Sequence, residues 1–191
     1  MGTFDVFPMP ADANYNYAEA FDRRPGGHHG TDVFAPRGTP VLAVFDGDAR
    51  STTDPKGGTV VYLTGARDFA GTVYYAHLDS VEPHLASGKS QFVNAGDVIG
   101  YVGTSGNAAN TPPHLHIQVT NPNGRGIANP FPHLVDVDTK RGGRRIDPTK
   151  PREEQAGSLT DNDVVLIGGA AVVVFVLWLL FKSDNKQRSA A

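Results

Sequence analysis

The segment Pro113-His114-Leu115-His116-Ile117-Gln118-Val119 limits this chain more than any other. Its β-branched character calls for an extended strand, and residues two apart in a strand share a face. His114 and His116 then point to one side and Leu115 to the other. Such a strand aims two imidazoles at one point while its other face packs into a core.

The sequence around it suits a β domain. Glycine (22) and proline (14) are plentiful and the apolar runs are mostly short, which favours a loop-rich sheet over a helical bundle. Residues 41–45 read as a buried strand ended by Asp46-Gly47. Residues 59–64 and 71–78 read as a strand pair with its turn at 65–68. Residues 98–102 form a further strand, 103–107 a flexible loop, and about 115–120 the histidine strand. Residues 1 to about 27 read as an ordered arm. Short strands at this spacing argue an all-β, largely antiparallel domain.

From about residue 137 the character changes. Lys140, Arg141, Arg144, Arg145, Lys150 and Arg152 lie among few apolar residues and read as a mobile basic linker. Residues 164–181 carry no charge; as a helix they extend about 27 Å, close to the bilayer hydrocarbon thickness of roughly 30 Å. The expected organisation is a folded domain over 1–137, a linker over 138–163, a C-terminal transmembrane helix over 164–181 and a polar tail over 182–191. Trp178 and Lys182 suit an interfacial anchor, and basic residues on both sides leave the topology open. The N-terminus has no basic region or sustained apolar run and does not read as a secretory signal.

A net charge of −3 demands no nucleic-acid partner. The chain has no cysteine, so disulfides and thiolate metal sites are excluded, and any metal must be held by His, Asp or Glu. Zinc in a catalytic site takes three N or O ligands and leaves the fourth position to water. His28, Asp32 and one histidine of the 114/116 pair supply such a set, with Gly30 letting the backbone turn between the first two. The remaining histidine would stand beside the metal's water as a general base. His77, at the end of a strand, is placed to stabilise an oxyanion.

His28-x-Gly30-x-Asp32, Tyr75-Ala76-His77-Leu78 and His114-Leu115-His116 occur in this order in the lysostaphin-like (LytM-type) zinc endopeptidases of bacterial cell walls. Residues 35–41, 96–103, 106–108 and 111–113 are similar as well, so the chain resembles that family over about residues 20 to 135. The resemblance implies Zn2+ held by His28, Asp32 and His116, with His114 and His77 as the catalytic histidines and His114 as the general base. It implies a compact antiparallel β domain with an open groove, and peptidoglycan peptides as substrate. All five positions match. The alternative is a non-catalytic module on the same fold that binds cell wall or activates another hydrolase.

The loop tyrosine that some relatives use near the oxyanion has Tyr15 or Tyr17 as its candidates here. His29 is expected in solvent or behind the ligands, His84 exposed and His133 structural. Asp22, Asp46, Asp48 and Asp79 read as turn and capping residues. A wall hydrolase with a C-terminal anchor is expected as a single-pass membrane protein. Its catalytic domain would face the cell wall or belong to a membrane-containing phage particle.

Overall fold

A computed structural model describes residues 3–22, 27–65, 71–121 and 126–142. The arm carries β1 (Asn16–Tyr17), followed by β2 (Thr31–Phe34), β3 (Pro40–Leu42), β4 (Gly47–Asp54) and β5 (Gly58–Gly65). Then come β6 (Thr72–Val81), β7 (Gln91–Val93), β8 (Val98–Val102), β9 (His114–Thr120), β10 (Ile127–Ala128) and α1 (Phe131–Lys140). The main sheet runs β1-β2-β9-β6-β5-β4-β7, with β10 beside β9 and the β3/β8 pair joined to the far end of β6. Every pairing is antiparallel, as the spacing of short runs and turns implied.

The histidine strand alternates as a half-buried strand must. Leu115, Ile117 and Val119 are fully buried, while His114, His116, Gln118 and Thr120 face a groove. Val33 of β2, Val73 and Tyr75 of β6 and Leu63 of β5 fill the same core. The arm closes one side of it through Phe4, Phe7 and Met9, all buried.

β6 is the spine. Through Ala76 one of its edges pairs with β9; from Leu78 onward the same edge pairs with β8. The change falls at His77, whose φ is +63°, and the ladder to β5 shifts register there. A bulge of this kind re-aims a side chain that a regular strand would point elsewhere.

Two elements were not anticipated from the sequence. β4 is a full strand whose inward residues are small, Gly47, Ala49 and Ser51, so no apolar run announces it. α1 begins at Pro130-Phe131-Pro132. Proline fits a helix's first turn, where the amide has no intrahelical partner, and Asn129 Oδ1 accepts the Phe131 amide at 3.0 Å.

The domain therefore runs past residue 137. Asp138, expected in the linker, is buried and accepts hydrogen bonds from the hydroxyls of Tyr15 and Tyr17 and from Arg141 Nε (3.0 Å). Arg141 also donates to Met9 O (2.5 Å) and lies 4.2 Å over the Phe7 ring. These contacts hold Asp138 and Arg141 to the arm, and a solvated tether starting at 138 does not describe them. The rest of the expected linker, the apolar stretch 164–181 and the tail lie outside the described residues. Among the described residues, no helix is long and apolar enough to cross a membrane.

Candidate active site

The strand pairing builds the site. Asp32 and His116 are cross-strand partners in β2 and β9, and Ala76 of β6 stands opposite His116 on its other side. Alternation puts Asp32, His114 and His116 on the groove face. His28 reaches in from the segment before β2. Its Nε2 lies 3.0 Å from Asp32 Oδ1, and His116 Nδ1 lies 2.9 Å from the same oxygen.

One donor atom from each of His28, Asp32 and His116 falls within 4.8 Å of the others. Ligands about 2.0–2.1 Å from one tetrahedral ion stand roughly 3.4 Å apart, within that bound, and two imidazoles with a carboxylate are a donor set that zinc accepts. Gly30 makes the approach possible. A Cβ there would stand 2.5 Å from Ile117 O and 2.6 Å from His116 Cε1, so any side chain at position 30 would push the ring away. Burial raises the Asp32 carboxyl, but the His116 hydrogen bond and the neighbouring imidazoles outweigh it and hold the carboxyl well below the usual carboxylate range. Asp32 is thus an anion at any neutral pH.

His114 and His77 flank this cluster. His114 Nε2 is 4.0 Å from Asp32 Oδ1, further than either clustered imidazole. Its Nδ1 is 2.8 Å from Pro112 O, and a carbonyl only accepts, so Nδ1 carries the proton and Nε2 of the neutral ring holds a lone pair. His77 repeats the arrangement with Nδ1 donating to Ser105 O at 2.9 Å. The two rings meet edge to face at 4.9 Å, and His77 lies 5.9 Å from the His116 ring. Burial lowers the His77 pKa, and the imidazoles beside it add to the effect. The structure therefore brings all five sequence-derived residues into one groove of about 990 Å³.

The other assignments separate cleanly. His29 is half exposed and pairs with Asp22 at 3.1 Å. His84 is exposed, and His133 stacks on Phe4 at 5.1 Å. Asp46 accepts the Ala95 amide and Asp79 pairs with Arg37. Tyr15 and Tyr17 serve the Asp138 clasp and do not line the groove, because their hydroxyls are committed to that buried carboxylate.

Sequence reasoning missed two groove residues. Tyr74 packs edge-on to His116, with ring centroids 6.4 Å apart at 74°, and stacks obliquely on Tyr62 at 5.1 Å. Its hydroxyl donates to Asp54 Oδ2 at 2.6 Å. The period-two spacing Tyr74, Ala76 in a strand leading to His77 was a usable signal for Tyr74. Nothing local marks Asp54.

Comparison with known proteins gives a consistent outcome. The model of peptidase family M23 matches residues 26–129. The L-Ala--D-Glu endopeptidase of Bacillus subtilis (strain 168) is 36% identical over 142 residues, which cover 68% of this chain and 42% of that protein. The chain thus spans less than half the length of that relative. The catalytic domain of the antimicrobial peptidase lysostaphin from Staphylococcus simulans superposes with a TM-score of 0.54 at 27% identity, covering 64% of this chain and 93% of that one. A zinc-containing peptidase from Vibrio cholerae superposes with a TM-score of 0.53 at 27% identity, covering 66% and 39%.

Proposed function

The chain belongs to peptidase family M23, whose members are zinc metallopeptidases, and we propose that its groove hydrolyses peptide bonds of peptidoglycan. One observation carries this reading: a His28–Asp32–His116 donor cluster with two further imidazoles beside it, in a groove open enough for an extended peptide. A non-catalytic wall-binding role would need no such cluster. The substrate class is supported by the relatives, among them the Bacillus subtilis enzyme named for an L-Ala–D-Glu bond.

His28, Asp32 and His116 would hold the zinc. When bound, zinc supplies Lewis-acid polarisation of a carbonyl and lowers the pKa of water. The chain's own residues do the rest. Asp32 contributes one negative charge that burial does not neutralise. His114 presents Nε2 to the groove as a proton acceptor, fixed in that tautomer by Pro112 O. His77, pinned by Ser105 O, presents a second acceptor nitrogen. A proton taken up by either ring turns that nitrogen into a donor beside the oxygen that gains charge.

Incubating the full chain with labelled peptidoglycan should release peptide fragments, and a chelator should stop the release, with zinc restoring it. Cleavage that persists after the metal is removed would overturn the proposal. We further infer that residues 164–181 anchor the chain in a bilayer, in a bacterial envelope or a membrane-containing phage particle. What supports this is the uncharged length of the stretch. The full chain should then stay with membranes through alkaline carbonate extraction; release into the soluble fraction would sink the inference.

A further inference from the structure

We propose that Asp54, the last residue of β4, is a positioning residue that sets both His77 and Tyr74 for the cutting reaction, an assignment resting on the peptidase reading above. Asp54 Oδ1 accepts the amides of Lys56 (2.9 Å) and Gly57 (2.6 Å), which curls 54–58 into a tight side-chain-closed turn. The Gly57 carbonyl, aimed by that turn, accepts the His77 amide at 2.8 Å. His77 needs such a hold. Its φ of +63° lies in the left-handed region, which a non-glycine residue keeps only when its surroundings fix it.

The same turn grips the segment that orients the His77 ring. Lys56 O accepts the Asn107 amide and Ser105 Oγ accepts the Thr59 amide, both at 2.9 Å. The contact is backbone on backbone: a Cβ at Gly58 would lie 2.3 Å from Gly106 N, and one at Gly106 would lie 2.2 Å from Lys56 O. Ser105 O, held there, accepts the hydrogen bond from His77 Nδ1. The main chain and the imidazole of His77 thus depend on two loops that meet at the turn Asp54 closes.

The second oxygen of the same carboxylate holds another groove residue. Oδ2 accepts the Tyr74 hydroxyl, and the Tyr74 ring stands against His116. Asp54 is not in the metal-donor cluster. It joins the support of a catalytic imidazole to the wall beside a metal ligand. A residue that merely closed a turn would have no use for the tyrosine.

The test compares the full chain with Asp54→Ala, Asp54→Asn and Tyr74→Phe. Three quantities are read: kinetics on solubilised peptidoglycan fragments, zinc content, and the 15N signals of the imidazoles. Asp54→Ala should lower kcat about 10²-fold, the cost of a roughly 1 Å misplacement, with KM changed less than about threefold. Zinc content should stay at the wild-type level, and the His77 signals should lose their Nδ1–H signature. Asp54→Asn keeps an oxygen for the two amides, and Tyr74→Phe removes only the hydroxyl; each should lose about tenfold in kcat. Wild-type kcat and an unchanged His77 tautomer in Asp54→Ala would overturn the proposal. So would loss of zinc in parallel with activity, which would place the effect on the fold. If the wild type itself cuts no peptidoglycan, the peptidase reading fails, and the His77 tautomer in Asp54→Ala still decides the role of Asp54.

Discussion

His114 and His116 sit two apart on one strand face, and their free nitrogens separate them. His116 turns Nδ1 to Asp32 at 2.9 Å, whereas His114 spends Nδ1 on Pro112 O and keeps Nε2 for the groove. His116→Ala should therefore lose both zinc and cutting. His114→Ala should keep zinc and lose cutting by about 10²–10⁴-fold, the usual worth of a general base. Metal analysis beside a cleavage assay separates the two, and zinc loss in His114→Ala would reverse the assignment. The residues of this centre were legible in the sequence because His114 and His116 share a strand face by their spacing, while His28-x-Gly30-x-Asp32 and Tyr75-Ala76-His77-Leu78 resemble motifs of the lysostaphin-like family. Asp54 was not legible. A carboxylate before Pro-Lys-Gly-Gly reads like any turn aspartate, and its partner Tyr74 lies 20 residues away. Tyr15 and Tyr17 misled for the complementary reason: they lie near the metal motif in sequence but face a buried carboxylate on α1.

At the scale of elements, the arm and α1 stabilise each other through that carboxylate. The Tyr15 hydroxyl is pushed up to about 12 by burial and by its hydrogen bond to Asp138. An unfolded tyrosine titrates near 10. Between these values the folded chain keeps a proton that the unfolded chain has released. The stabilisation is thus complete below about pH 10 and is lost as pH rises toward 12. Denaturant midpoints should fall across that window, and Tyr15→Phe should fall less steeply; equal slopes would remove Tyr15 from the account. The strands with branched side chains, β5, β6, β8 and β9, were readable from their sequences. β4 was not, because a strand that turns Gly47, Ala49 and Ser51 inward has the alternation without the hydrophobicity. α1 was hidden by its prolines, and its burial of Leu134, Val137 and Asp138 depends on an arm more than a hundred residues away.

For the molecule as a whole, the sheet places core and chemistry on opposite faces of the same strands. Leu115 and Val73 hold the fold from beneath residues that serve the groove. His77 is where the two demands collide. A left-handed backbone at a side chain with a Cβ costs about 1–2 kcal/mol, and asparagine or glycine tolerates it better. His77→Asn should therefore leave the melting temperature at or above that of the wild type while ending peptidoglycan cleavage; a lower Tm would show that the bulge suits histidine after all. Stability and the proposed cutting would thus make opposite demands on position 77. If the groove cuts peptidoglycan, a chain relieved of that task would gain stability by exchanging His77 for asparagine or glycine.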